Sequence, residues 1–281
     1  MIKYISSAML YLSLSSVTVY AQQIKIDVQK GNKFIVETTT STVSVAQVMG
    51  QVMENNSDSK RTTIYEVLAT KLNEYDLQST LIKMKIDVSM MGQNMNFDSD
   101  KKENKGPLAN ELTDLINKVR SISINNNGEI TKQDKNERSS LSMLLPNGSE
   151  VQIVTEMFIP ALLNKELKAG YSFADSSNLI IEKLSFKDSG TYTITGINNG
   201  IANITYKGNQ LTTGVMEQMG MEMKTSSINT VTKELWVDIK TGIVLMQTST
   251  IDAVTNIEAG GMVIPTTIKT ITTINITRSL N

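Results

Sequence analysis

The chain has 281 residues with 27 basic and 28 acidic side chains, so it lacks the basic surplus with which proteins neutralise nucleic-acid phosphates. It contains neither histidine nor cysteine, which excludes Ser-His-Asp triads, thiol nucleophiles, zinc–thiolate sites and disulfides. No P-loop or dinucleotide-binding glycine pattern occurs. We therefore expect a protein that is not an enzyme, has no catalytic residues and needs neither a cofactor nor a metal.

The first 21 residues have the pattern of a signal peptide. Lys3 precedes a mostly apolar run over residues 4–19, and Ala21 has the small side chain required before the cleaved bond. The run is shorter than the ~20 apolar residues that a transmembrane helix needs. We expect cleavage near Ala21, a periplasmic or secreted location, and a single mature domain over residues 22–281 with no transmembrane segment.

Alternation of apolar and polar residues predicts long antiparallel strands on both sides of the middle of the chain. The even positions of residues 82–90 are apolar and the odd ones polar, and residues 234–240 repeat this pattern. Asn-Gly pairs at 127–128 and 199–200 predict hairpins, because type I′ turns need a positive φ at both central residues. We expect strands over about 24–100 and 171–277.

The middle of the chain, residues 107–165, has the spacing of helices. Apolar residues recur there at every third or fourth position, namely Leu108, Leu112, Leu115, Ile116 and Val119. A capping-box pattern starts at Ser149 and predicts a second helix that ends at Pro160, although a strand remains possible. The predicted fold class is α+β, a strongly curved antiparallel sheet (a half-open barrel) of long hairpins with one or two covering helices.

Methionine is unusually frequent, with 16 residues, of which two lie in the expected signal peptide. The motif M-G-x-x-M begins at Met49, Met91 and Met219 and predicts a recurring turn or bulge. Three interpretations are open: ordinary sheet core, which is favoured, the lining of an apolar groove, and a Cu(I) site. The candidate lining residues are Met84, Met90, Leu112, Leu115, Ile116, Met219, Met221 and Met223.

Four segments resemble an uncharacterised family of exported Bacteroidota proteins, a domain of unknown function. They are MMGQNMNFDSD (residues 90–100), SISINNNGEI (121–130), LKAGYSF (167–173) and LWVDIKTGIV (235–244). The resemblance implies an architecture similar to LolA- and LppX-type lipoprotein carriers, half-open barrels whose helices plug an apolar cavity. It implies no catalytic residues, and this chain lacks the acylated cysteine of a lipoprotein.

Together these observations predict a soluble, exported binding protein for an apolar ligand, such as a lipid or an acyl chain, in the cell envelope. The alternative is a structural or protein-interaction module of the cell envelope without a ligand, in which the same apolar residues form a filled core. The sequence leaves protein partners, ligand identity and oligomeric state open.

Overall fold

The structure, a computed structural model, describes residues 22–90, 93–104, 109, 112–133, 156–181, 183–218 and 221–279. These residues form fourteen β-strands, most of them rich in the threonine, valine and isoleucine that favour extended backbone. The strands are β1 (Gln22–Gln23), β2 (Lys33–Val48), β3 (Gln51–Thr70), β4 (Glu74–Met90), β5 (Gln93–Asp98), β6 (Val119–Asn125), β7 (Ile130–Gln133), β8 (Glu166–Leu167), β9 (Ser172–Ile181), β10 (Leu184–Asn198), β11 (Ile201–Gln218), β12 (Met221–Asp238), β13 (Val244–Ala259) and β14 (Met262–Ser279).

Twelve of the strands form one antiparallel sheet. Its order is β7-β6-β4-β3-β2-β14-β13-β12-β11-β10-β9, and β5 pairs with the end of β4 that β6 leaves free. The last strand, β14, pairs with β2, and this pair lies in the middle of the sheet. The short strands β1 and β8 pair with each other separately.

The hairpins define two ends of the sheet. At the end that we call the tips, Met49 and Gly50 connect β2 to β3 with φ values of 49° and 80°, as a type I′ turn requires. At the opposite end, the base, Asn199 and Gly200 connect β10 to β11 with φ values of 50° and 77°. The predicted hairpin at 199–200 is therefore confirmed, and Met49-Gly50 is a turn. β6 and β7 also pair on either side of 127–128, but Gly128 has a positive φ of 74° and Asn127 does not, so that hairpin is confirmed without the type I′ geometry.

The base half of the sheet is curved around a buried plug. The plug consists of residues 24–28 and 156–163, which include the short 3-10 helix Pro160–Leu162. Buried apolar side chains from β2, β3, β4, β6, β10, β11, β12, β13 and β14 belong to the same cluster as the plug. On a flat sheet with strands ~4.8 Å apart, Gly128 after β6 and Gly242 after β12 would be about 29 Å apart, because six strand spacings separate these strands. Leu163 of the plug nevertheless lies beside both, 3.0 Å and 3.3 Å from where a Cβ atom would be added. The sheet must therefore be concave on the plug side.

The predicted α+β fold class with covering helices is wrong, because the described chain is almost entirely antiparallel sheet. Of the predicted helix over 108–119, only residues 109, 112 and 113 are helical among those described, and Val119 begins β6. The second predicted helix lies mostly outside the described residues, and only 156 and 157 of it are helical. In the part of the chain that the structure describes, no helix is long and apolar enough to cross a membrane.

Local geometry explains why helical spacing did not give a helix at 112–119. The amide groups of Leu115 and Ile116 donate to the carbonyl groups three residues earlier, which makes tight turns rather than α-helical turns. Asn117 then adopts a left-handed φ of 62° and donates its amide to Leu81 O at 2.8 Å. Sheet pairing of Val119 with Thr80 takes over from that point.

Candidate functional site

The concave face of the sheet is the candidate functional site, and pairing register arranges its side chains in rows that cross the strands. One row follows directly opposed residues from β9 to β5. It contains Phe173, Tyr192, Tyr206, Lys233, Ser249, Thr272, Thr40, Ser59, Ile86 and Phe97. The row is aromatic on β9–β11, hydroxylated on β13, β14, β2 and β3, and apolar on β4 and β5.

The aromatic part of this row is a stack of rings that ends at a lysine. The ring centroids of Phe173 and Tyr192 are 5.4 Å apart, and those of Tyr192 and Tyr206 are 4.6 Å apart. The amine of Lys233 lies 5.3 Å from the Tyr206 centroid, within the range of a cation–π contact. Such contacts fix the four side chains relative to one another.

Two carboxylates oppose the effect of burial on Lys233. Burial lowers the pKa of Lys233, because the charged amine loses hydration, while Asp188 and Asp175 raise it. Burial likewise raises the pKa of Tyr192 well above its usual value, and Asp175 adds to that shift. Lys233 keeps part of its surface accessible, so it lies in the wall of the concave face rather than inside the packed core.

A belt of hydrogen-bonded polar side chains crosses the concave face on the tip side of this row. Gln210 donates to Asp188 at 2.9 Å, and Asn229 donates to Gln210 at 2.8 Å. The hydroxyls of Ser227 and Thr255 continue the belt at 2.7 Å. On the neighbouring strands two threonine pairs are also bonded, Thr40 with Thr272 at 3.2 Å and Thr42 with Thr270 at 3.1 Å. Most of the polar side chains of the belt therefore find their hydrogen-bond partners within the belt.

A buried ion pair lies where the belt meets the plug. Arg61 of β3 donates to the carboxylate of Glu156, a plug residue that is almost fully buried. Burial raises the pKa of Glu156, and the positive charge of Arg61 opposes the shift. The pair ties the plug to the wall of the sheet.

The tip half of the concave face is apolar again but is less tightly covered. By register and alternation, the inward side chains there include aliphatic, aromatic and thioether groups that are half-buried rather than buried. Met223, Ile257 and Ile264 lie on the tip side of the belt. Phe186 and Met53 lie in the same row as Ser227 and Thr255, and Ile268 lies in the same row as Gln210 and Asn229. The concave face therefore has a packed apolar base, a polar belt, and a partly open apolar zone towards the tips.

A groove of about 310 Å³ lies on the opposite, outer face, over β3, β4 and β5. Asp58 faces Asp87 across the β3–β4 pair, and both line the groove with asparagines. The amine of Lys85 lies 3.4 Å from Asp87, so the carboxylates are partly neutralised by the protein itself. Within the described residues, no group of three or more acidic side chains is arranged to hold a metal ion.

The structure brings half of the predicted lining residues together. Met84, Leu112 and Leu115 are buried in one cluster with Ile86 and Phe97, and Ile116 packs against it. Met90 lies at a strand end and is 40% exposed, and Met223 is half-buried on the concave side. Met219 lies outside the described residues, as does the side chain of Met221. The four that meet form packed core.

The copper interpretation needs methionine side chains close to one another. Met84 on β4 and Met223 on β12 are separated in the sheet by β3, β2, β14 and β13. Met90 is near Met84 along β4 but is at the exposed strand end. The described members of the set therefore do not form one thioether site.

Sequence reasoning missed the cluster around Lys233 and Tyr206. A signal was present, because Lys233 occupies an alternate position between Val231 and Leu235, both of which are buried. A lysine on the apolar face of a strand indicates a buried or concave environment with nearby partners. The partners themselves, Asp175 and Asp188, are on other strands and have no local sequence signature.

Comparison with known proteins gives limited information. A family of unknown function (DUF6263) matches residues 72–139, about a quarter of the chain, so the expected similarity to a domain of unknown function is confirmed at that level. No curated protein matches the chain.

Similar solved structures include an outer membrane channel from Pseudomonas putida F1, with 6% identity, a TM-score of 0.25, and coverage of 90% of this chain and 97% of that chain. Others are OpdQ from Pseudomonas aeruginosa (5%, TM-score 0.25, 90% and 100% covered) and the translocator domain of the autotransporter NalP from Neisseria meningitidis (8%, 0.23, 89% and 90%). None of these three is named as a carrier of the LolA or LppX type, and the expected similarity to such carriers stays a prediction. TM-scores this low carry no argument about function.

Proposed function

We propose that this chain is an exported, non-catalytic binding protein of the cell envelope that holds an apolar ligand, such as an acyl chain, on the tip half of its concave face. One observation carries the proposal. On the tip side of the belt, the inward side chains of Met223, Ile257 and Ile264 are apolar yet only half-buried, whereas the apolar side chains at the base are packed against the plug. Covering apolar surface releases about 25 cal/mol per Å², so this zone favours an apolar occupant.

The polar belt supports a ligand that stays on the tip side. Its amides and hydroxyls bond to each other, as the 2.8 Å contact between Asn229 and Gln210 shows. Pushing an apolar chain past the belt would break such bonds without replacing them, which costs about 1–3 kcal/mol for each group left unsatisfied. The belt therefore acts as the floor of the proposed site, and Lys233 lies below it.

The proposed location in the envelope rests on the signal-peptide pattern and on the resemblance to exported Bacteroidota proteins. Residues 1–21 lie outside the described residues, so this part of the proposal needs its own test. Secretion from a bacterial host followed by intact-mass measurement should give a chain that starts at Gln22. A mature mass that still includes residues 1–21 would contradict it.

A fluorescent fatty acid tests the binding site. Ile257 and Ile264 are opposed across β13 and β14 and point inward, while Ile228 and Val254 are opposed across β12 and β13 and point outward. We expect Ile257→Ser/Ile264→Ser to weaken binding of the probe by about tenfold or more, because two apolar contacts are lost. The control Ile228→Ser/Val254→Ser should bind like the natural chain.

The alternative, a structural or protein-interaction module without a ligand, is favoured by one observation, the tight packing of Met84, Leu112 and Leu115. It predicts that the natural chain takes up no fatty acid and that native mass spectrometry after purification shows the protein mass alone. If Ile257→Ser/Ile264→Ser and Ile228→Ser/Val254→Ser weaken fatty-acid uptake equally, the proposed site is also contradicted. The loss would then come from a lower stability of the folded protein and not from lost contacts with the ligand.

A further inference from the structure

Large apolar side chains are exposed at the tips. Met49 in the β2–β3 turn is 85% exposed and Val52 beside it is 67% exposed. At the β13–β14 turn, Met262 is 48% and Val263 is 63% exposed. Met90, at the tip end of β4, is 40% exposed. Turn tips of antiparallel sheets normally carry polar residues, so exposed methionine and valine there need an explanation.

All these residues lie at the same end of the sheet, beside the proposed binding zone. The pairing of β2 with β3, β4 with β5, β11 with β12 and β13 with β14 extends in each case to the tip ends of the strands. The half-buried inward side chains Met53 and Ile264 are one or two residues from the exposed Val52 and Met262. The apolar concave zone is therefore continuous with the apolar tips.

The charges behind the tips select the kind of surface that could cover them. No residue from 47 to 53 is charged, and the nearest charges at the tips have both signs. They are the exposed carboxylates of Glu54, Glu222 and Glu258 and the exposed amines of Lys183 and Lys224, of which Lys224 lies directly opposite Glu258. Carboxylates repel anionic lipid headgroups and attract the ammonium group of zwitterionic ones. Lysine amines in turn attract the phosphate group of a zwitterionic headgroup. An apolar tip with charges of both signs behind it therefore matches a zwitterionic bilayer surface.

We infer that the tips dock onto a zwitterionic lipid surface, with the methionine and valine side chains in the interface and the concave zone opening towards the lipid. Several apolar anchors on separate hairpins suit a planar surface, since each contributes a small insertion. The inference rests on the proposed binding function, because it supplies the route by which an acyl chain would enter the concave zone.

The test is flotation with vesicles of pure phosphatidylcholine and with vesicles containing about one third phosphatidylglycerol. The chain offers a closely matched pair of variants. Val52→Ser/Val263→Ser alters tip residues that are 67% and 63% exposed, and Ile228→Ser/Val254→Ser alters outer-face residues away from the tips that are 68% and 63% exposed. We expect the tip pair to weaken binding to phosphatidylcholine vesicles by about tenfold, while the control pair binds like the natural chain.

Several outcomes would overturn docking. These are no flotation of the natural chain, equal loss in both pairs, or binding that depends on phosphatidylglycerol. A natural chain that sediments as a dimer which only the tip pair dissociates would assign the tips to a second copy instead. Uptake of the fatty acid is measured separately without vesicles. Uptake without flotation would reject docking alone, and flotation without uptake would reject the binding zone alone.

Discussion

Gly190 and Gly208 show how single residues shape the concave face. They are directly opposed on β10 and β11, and the ring of Tyr206 covers both. A Cβ atom added at Gly190 would lie 2.5 Å from the Tyr206 ring, closer than real side chains approach. Glycine is required at Gly190 because a side chain would collide with Tyr206, not because of the backbone conformation. The absence of a side chain lets the Tyr206 ring lie over the two glycines, where it contacts the amine of Lys233.

Gly190→Ala should therefore destabilise the fold by about 1–3 kcal/mol, the usual cost of overpacking. Urea denaturation measures the change in the free energy of unfolding. Gly196→Ala on the same strand is the control, because nothing lies within 4 Å of its added Cβ atom. Equal effects of the two substitutions would show that the Tyr206 contact is not the cause.

Glu156 should give the stability a dependence on pH. Its pKa is raised in the folded protein by burial, with Arg61 opposing the shift, so the folded state holds the proton more tightly than the unfolded state. The stability from this residue is present below its ordinary pKa and is lost as the pH rises through the raised value. We expect urea denaturation from pH 4 to pH 8 to show a smaller decline for Glu156→Gln than for the natural chain. The opposite slope difference would mean that Arg61 dominates.

At the scale of elements, β4 shows how a bulge changes which side chains of a strand point into the concave face. Leu81 pairs with Thr63 and Lys83 with Thr62, so Ile82 is an extra residue in a bulge. Met84 and Ile86 lie on one face, as the alternation predicted, and are paired with Arg61 and Ser59 of β3. Ile82 was predicted on the same face but has no residue of β3 opposite it. The bulge lies where β6 gives way to β5 as the neighbour of β4, and it gives the residues before Val119 room to pack.

Those residues are attached to the sheet mainly through Leu112, which is fully buried against Met84, Ile86 and Phe97. Leu112→Ala should cost about 2–5 kcal/mol, the range for a large-to-small change in a packed core. Thermal unfolding followed by circular dichroism would report it as a lowered midpoint. Leu72→Ala, at a leucine that is 92% exposed, should leave the midpoint nearly unchanged. A small effect of Leu112→Ala would mean that this cluster is open and could hold a ligand.

At the scale of the whole molecule, the long strands belong to two regions of unequal packing. In β11 and β12, Ile204 and Leu235 are buried in the base cluster, whereas the inward-facing Thr212 and Thr225 nearer the tips are only half-buried. We expect native-state hydrogen exchange to be slower by at least ~10-fold at the base amides than at the tip amides of the same strands. Uniform protection along β11 and β12 would show that the tip half is as firmly held as the base.

The strands were predicted more accurately from the sequence than the segments that connect them. Of the strand predicted over 234–240, residues 234–238 belong to β12 and residues 239–240 form a turn. The Asn199-Gly200 turn was located correctly, because type I′ chemistry is a local property. The helix over 108–119 was wrong, since leucines at helical spacing can equally supply the side chains of tight turns that pack on a sheet. The predicted lining residues Met84, Leu112 and Leu115 do meet, but they form packed core.

Most of the long strands, the hairpins at 127–128 and 199–200 and the exclusion of histidine and cysteine chemistry could be read from the residues alone. Each of these depends on residue types and on spacings of a few positions. Only the tertiary structure decided that the sheet curves around residues 24–28 and 156–163, and that Lys233 lies near Tyr206, Asp175 and Asp188. Such contacts join strands that are tens of residues apart along the chain. Their register follows from the pairing of whole strands, which no local pattern encodes.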